Sequence, residues 1–383
     1  MEYIKKDIPL YSVTIWDKKF NGVEKEWQPK TIKYKYLLSD ELDSIKVDKG
    51  DIRILYTGKD VGFTNDELAG DAVSDGEIVS IPWGGIPTVK YYKGRFVTGD
   101  NRIATSSDKS LLLNEYLYFY MKGNLTTIAS FYRGASLKHP SMRDVLKMKI
   151  SLPDIKEQDK VVKELRSIEQ LLDKLNQKIE LLDELVKARF VEMFGNEKNT
   201  QKLGDLVSIC RGASPRPISS YTTKDEDGEN WIKIGDVEEN DIYINHAAEK
   251  VTKAGADKSR RVKVGDFILS NSMSFGRPYI LNIDGCVHDG WLIISDYERS
   301  FEQLFLYYLL RSDDVQAQFN GTVSGAVVKN LNSDKVRETK VIVPSKDKQK
   351  EFVEFSKQID KSKFISILIT IILYKQHYYS HIR

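Results

Sequence analysis

The chain has 383 residues, 58 of them Lys or Arg and 56 Asp or Glu, for a formal net charge of +2. That length accommodates two or three domains with separate cores, and the near-neutral balance excludes a polycationic tail while leaving local basic patches open. Cys210 and Cys286 have neither metal-ligand spacing nor a disulfide framework, as expected in a reducing compartment. The start, MEYIKKDIPLYSV, lacks the apolar core of a signal peptide. The one continuous apolar run, FISILITIILY at 364–374, is shorter than the roughly 20 residues of a membrane-spanning helix. A soluble, cytoplasmic protein with no membrane partner is expected.

Residues 1–152 are rich in Val, Ile, Tyr, Trp and Thr broken by Gly and Asp turns, and segments such as DIRILYTG read as strands of a small barrel or mixed sheet. Residues 153–196 change character. Val161, Leu165, Ile168, Leu172, Leu175, Ile179, Leu182 and Val186 recur in alternating steps of four and three, the heptad rhythm of a coiled coil. Arg189 interrupts the rhythm and Met193 resumes it. Asp154, after Pro153, is placed to cap the start, and Gly195-Asn196 marks the exit. About 40 residues at ~1.5 Å each predict a rod on the order of 60 Å long, with a seam too narrow to be buried without a partner helix. A second β-rich body follows at 197–345, with DFILSN as a strand. A second helix at 346–383 begins its seam with Phe352, Phe355 and Ile359. Beyond Lys363 a solid β-branched run replaces the amphipathic pattern, so this helix is expected to be truncated or altered there.

The two halves echo one another. SLPDIKEQDKVVKEL answers IVPSKDKQKEFVEFS, placing Pro153 against Pro344 and Gln158 against Gln349, 191 residues apart. LYFYMKG answers LYYLLRS, RGASLKHP answers SGAVVKNL, and GEIVSIPWGGIPTVKYY answers GDFILSNSMSFGRPYIL. Several matches in the same order indicate a tandem duplication with diverged bodies.

Catalytic signatures are missing from the sequence. There is no Pro-Pro pair to grip an adenine amino group, and the one Gly-Lys, Gly58-Lys59, is followed by Asp60 rather than by the Ser or Thr of a phosphate loop. The five histidines are scattered, so neither a metal site nor a catalytic residue is expected, and His139 and His288 read as turn or core histidines. Each body instead interleaves basic residues with aromatic and small polar ones. The first supplies Trp83, Lys90, Tyr91, Lys93 and Arg95, with Arg133 and Lys138 in the Gly134 loop. The second supplies Arg211, Arg216, Lys258, Arg260, Arg261, Asn271, Ser272 and Arg277, with Lys329 in the matching Gly325 loop. Arg and Lys neutralise phosphates, while Asn, Ser and bidentate Arg can read base edges, so these are candidate DNA contacts.

The ISLPDIKEQDKVVKEL join, the helix running into LVKARFVEMFGN, the weaker copy VIVPSKDKQKEFVEFSKQID, and KLGDLVSICRG, WIKIGDV and VKVGDFILSN together resemble the specificity (S) subunit of a type I restriction-modification enzyme. The likeness covers nearly the whole chain. It implies an α+β protein: two α/β target recognition domains joined by long antiparallel coiled-coil helices in a pseudo-two-fold repeat. It implies a non-catalytic reader of bipartite double-stranded DNA, with two methyltransferase subunits docking on the helix seams and restriction subunits joining them. No cofactor is expected in this chain; S-adenosylmethionine, ATP and Mg would reside in the partners. A coiled-coil scaffold with two β-rich protein- or carbohydrate-binding domains is the alternative, and an enzyme fragment a weaker third.

Overall fold

The computed structural model describes residues 5–58, 61–238, 241–271, 276–321 and 331–380. It divides into two compact units, Met1–Asn176 with Ile367–Arg383, and Gln177–Ser366. Lys329 and Ser272 lie outside the described residues, as does the Gly325 loop.

In the first unit six of the described strands form a sheet in the order Thr14–Trp16, Asn101–Ser106, Ser74–Pro82, Lys90–Thr98, Ile52–Leu55, Val61–Thr64. Side chains alternate between its faces. Val79, Ile81 and Ala104 join a core with Leu117, Phe119 and Met121 of the helix Asn114–Gly123. Ile78, Phe96 and Ile103 pack with Leu55 in a separate cluster. Buried residues thus lie on both faces of this sheet.

The second unit repeats the plan. Its sheet runs Ser208–Arg211, Trp291–Ser295, Phe267–Ser270, Pro278–Leu281, Tyr243–Ile244, and its first four strands match the first four of the other sheet in order. The long strand Lys90–Thr98 is answered by two short ones, Pro278–Leu281 and Gly285–Val287. The second of these belongs to a further five-stranded sheet with Thr222–Thr223, Glu249–Val251, Glu229–Ile232 and Arg260–Val262. The bodies have diverged at that break.

Two long helices complete the architecture. The central helix is Ile155–Phe194, 40 residues, and its first turn is capped by Asp154, whose Oδ1 accepts from the Glu157 N–H at 2.9 Å. The C-terminal helix is Lys346–Ser380, 35 residues, and runs unbroken through Lys363. The β-branched run therefore changes the surface of this helix and leaves its backbone helical: Phe364, Ile365, Ile367, Leu368, Ile369, Ile371 and Ile372 are all exposed.

Gln158 and Gln349 occupy the same place in the two repeats and make the same three bonds. Gln158 is fully buried; its Oε1 accepts from Leu113 N–H (3.0 Å), and its Nε2 donates to the carbonyls of Leu111 (2.8 Å) and Pro153 (2.9 Å). Gln349, equally buried, accepts from Glu302 N–H (2.8 Å) and donates to Ser300 (3.0 Å) and Pro344 (2.9 Å). Leu113 and Glu302 each precede the short aromatic helix of their unit, Asn114–Gly123 and Gln303–Arg311. One amide thus ties each long helix to the start of a short one.

Of the seam residues, Leu165 and Ile168 are buried in the core of the first unit, with Leu172 and Leu373 packed against it. Leu175 is buried, whereas Ile179 and Leu182 are half-buried. In the second unit Val186 and Phe352 are buried in one core, against which Phe355 and Ile359 pack. The ion pairs Arg189–Glu351 (3.0 Å) and Asp183–Lys363 run in opposite order along the two helices, so they pack antiparallel there. The reading of Arg189 as a break needs correcting. The stripe passes from Val186 to Phe190 and Phe194, whose rings meet Phe352 at 5.3 and 5.8 Å. A helix of 3.6 residues per turn drifts from a 3.5 repeat, so the buried stripe shifts by one position.

Gln349→Ala should cost roughly 3 kcal/mol, since it strands one buried N–H and two carbonyls, and Phe352→Ala about 3–5 kcal/mol. Chemical denaturation checks both; a Gln349→Ala midpoint equal to that of wild type would remove the clamp from the account.

Candidate nucleic-acid interface

In the first unit the chain leaves the strand Ser74–Pro82 through Trp83, Gly84, Gly85 and Ile86. Trp83 is held on several sides. Its N–H donates to the Asp100 carbonyl (3.0 Å), the Arg102 guanidinium lies 4.0 Å from its ring centroid, and the His139 ring stacks on it at 4.9 Å. His139 Nδ1 donates to the Trp83 carbonyl (2.7 Å), and the Tyr132 hydroxyl donates to that of Pro82 (2.7 Å). Arg102 is only 3% exposed and donates to Asp100 Oδ1 at 2.8 Å. Nearby, the buried Asp17 carboxylate accepts from the Tyr36 hydroxyl and from Ile103 N–H (3.0 Å); burial pushes its pKa up despite these bonds.

Above this buttress two loops touch and reach solvent. Ile86 is 74% exposed and Leu137 57%, and a Cβ on Gly84 would stand 3.3 Å from the Leu137 side chain. Gly134 has φ +140 and would place a Cβ 2.3 Å from the Leu137 carbonyl, so the turn excludes any other residue. Trp83, Arg133 and Lys138 are therefore gathered by one feature, with Arg133 opposite His139 in a short ladder and paired to Asp144 at 3.1 Å.

The strand Lys90–Thr98 carries the other four candidates, and most are engaged within the unit. Lys90 donates to the carbonyls of Tyr56 and Gly58. The Tyr91 hydroxyl donates to Glu77 (2.9 Å); burial, then that carboxylate, push it up to about 12. Arg95 bridges Asp51 and Asp66, and Lys93 is exposed.

The second unit gathers four candidates around the turn His288–Gly290. Arg211 Nε and Asn271 Nδ2 donate to the Asp289 carbonyl at 2.9 and 3.0 Å. Arg216 reaches Asp289 Oδ2 at 3.3 Å, and Ser214 donates to Oδ1 at 2.6 Å. Arg260 Nε donates to the Arg211 carbonyl at 3.3 Å. The Ser214 hydroxyl, aided by Arg216 and Arg211, holds the Asp289 carboxyl below the usual range. His288 accepts at Nδ1 from Gly290 N–H (2.8 Å), and burial lowers its pKa, so it is a neutral turn histidine. Three candidates lie outside this group. Lys258 stacks on Tyr221 and donates to its hydroxyl, Arg261 pairs with Glu229 and Asp257, and Arg277 follows the Gly276 turn with its N–H on Ser270 Oγ (3.3 Å).

Sequence reasoning missed Asp100 and Asp289 because it sought positive charge, and it also passed over Arg102 and Ser214. The available signal was TGDNR against VHDGW, which fall at the same offset as Gly76 and Gly265. Among the described residues no three His, Cys, Asp or Glu side chains are grouped to hold a metal, and no helix is long and apolar enough to cross a membrane.

Both halves match the family model for the type I restriction modification DNA specificity domain, at residues 6–182 and 196–370. The chain belongs to that family and is a type I restriction-modification specificity subunit. The curated protein named "Putative type I restriction enzyme MjaX specificity subunit" from Methanocaldococcus jannaschii is 24% identical over 305 residues, spanning 72% of this chain and 68% of that one. The crystal structure of the type I restriction-modification system S subunit from M. genitalium shares the fold, with TM-score 0.52 and 14% identity over 98% of this chain and 96% of its own.

The depressed Asp289 carboxyl sets a pH dependence. A folded pKa below the ordinary 3.8 means that the stability contributed by the carboxylate's contacts with Ser214 and Arg216 is present above that value and is lost as pH falls through the lower one. Carbon-13 titration should place the Asp289 midpoint below 3.8, and Ser214→Ala should raise it. A wild-type midpoint at or above 3.8 would contradict the geometry.

Proposed function

We propose that each unit reads one half of a bipartite double-stranded DNA site and that the chain directs methyltransferase subunits to it without catalysing the reaction itself. The observation that carries this reading is the doubled family match: one specificity domain per repeat, each with a loop cluster that presents basic and polar side chains to solvent. Exposed Lys and Arg would neutralise phosphates, making affinity fall steeply with salt, while the exposed Arg211 and Arg216 would contact base edges. In this reading residues 1–152 and 197–345 are the recognition domains, and 153–196 and 346–383 form the spacer. S-adenosylmethionine, ATP and Mg belong to the methyltransferase and restriction subunits.

Docking of the methyltransferase subunits on the helices is supported by apolar residues that face water. Leu181, Leu185 and Val191 of the central helix are 62%, 45% and 66% exposed, and Leu368 and Ile371 of the C-terminal helix are each 45% exposed. Lone exposed apolar residues are ordinary, but a run of them along one helix marks an interaction surface.

Deleting the gene should remove one bipartite N6-methyladenine motif from the host methylome; an unchanged methylome in an otherwise active system would overturn the function. Replacing residues 1–152 with another such body should change one half-site alone. A heptad added or removed within 165–186 should change the spacer and neither half. Leu368→Lys with Ile371→Lys should cut co-purification of the methyltransferase subunit at least tenfold, with a change in unfolding free energy of about 0.5 kcal/mol or less, as expected at exposed positions.

A further inference from the structure

Asp100 and Asp289 are 189 residues apart, the offset that separates Gly76 from Gly265. Each sits in the turn entering a matched strand, Asn101–Ser106 in one unit and Trp291–Ser295 in the other. Each turn performs the same two tasks. Its main chain pins the first residue of the loop leaving the neighbouring strand. The Asp100 carbonyl takes Trp83 N–H at 3.0 Å; the Asp289 carbonyl takes Asn271 Nδ2 at 3.0 Å, and Gly290 takes Asn271 N–H at 3.1 Å. Its carboxylate collects cations, Arg102 at 2.8 Å and Lys18 at 3.8 Å in the first unit, and Arg216 at 3.3 Å in the second.

The cations come from unrelated places. Arg102 follows its aspartate by two residues, whereas Arg216 reaches in from a distant loop. The flanking sequences differ as well, so the carboxylate and the pinned first residue after the neighbouring strand are what the two copies retain. A carboxylate beside arginines opposes phosphate binding in general, a poor choice for raw affinity to a polyanion. Its benefit is orientation: in the first unit it holds the buried Arg102 against the Trp83 ring, and in the second it draws the exposed Arg216 toward the turn.

We propose that Asp100 and Asp289 are positioning residues, one per unit: Asp100 presets Trp83 through the buried Arg102, and Asp289 presets Arg216 and the main chain at Asn271, ahead of contact with each half-site. This rests on the DNA-reading function proposed above. The carboxylates trade non-specific affinity for discrimination.

The test uses the subunit assembled with its methyltransferase partners, on the duplex identified by methylome sequencing and on duplexes scrambled in the first half, the second half or both. Asp289→Asn keeps the shape and the carbonyl bonds while removing the charge. It should lower discrimination against a scrambled second half about tenfold, leave the first half unchanged, and raise affinity for the fully scrambled duplex with a steeper salt slope. Asp100→Asn should mirror this at the first half. Ser214→Ala, which removes one bond to Asp289, should shift second-half discrimination in the same direction by a smaller factor. A purely structural role would instead lower affinity for all duplexes in parallel with the thermal midpoint, and that outcome overturns the inference. Unchanged discrimination at both halves also overturns it, while the DNA-reading function stands. A wild-type complex that prefers no duplex overturns that function and the inference together.

Discussion

Everything in this chain depends on how a long helix is fastened to a β-rich body, and the fastening is a single buried amide used twice. Gln158 and Gln349 each satisfy both ends of the amide with three main-chain groups, one N–H and two carbonyls. A buried amide left unpaired would be costly, so the bond set fixes where each helix begins relative to its short neighbour. Because every partner is main chain, the joint makes no demand on the side chains it touches. The bodies could diverge in sequence, even splitting one strand into two, while the joint stayed the same.

Much of the fold was legible. The heptad rhythm gave the central helix and its seam, and the internal repeat anticipated two related β-rich bodies, though not the order of their strands. Gln158 and Gln349 were paired from sequence alone, although their role was not, since a lone glutamine in a charged helix looks like surface. Two readings changed. Arg189 looked like a break because only the heptad positions were followed, whereas the buried stripe had moved to Phe190 and Phe194. The run after Lys363 looked unfit for a rod because β-branched residues are weak helix formers, yet the helix continues through it. Packing, with Leu373 against the first unit's core, outweighs propensity there.

The candidate interface was legible in part. The structure brings Trp83, Arg133 and Lys138 together in one unit and Arg211, Arg216, Asn271 and Arg260 in the other. Composition could not show that most of these, like Lys90, Tyr91 and Arg95, spend donors on neighbours inside the unit. A basic residue in a sequence carries no mark of whether a carboxylate already faces it. The acidic members of the cluster were overlooked for the same reason: a search for DNA contacts weighs positive charge and discounts the groups that hold it in place.

The C-terminal helix carries a further consequence. Its outward-facing isoleucines and leucines remain in water while the chain stands alone, a state that favours self-association. A subunit built this way is safest when made in step with whatever covers that surface. The lone chain would therefore self-associate through this face at high concentration.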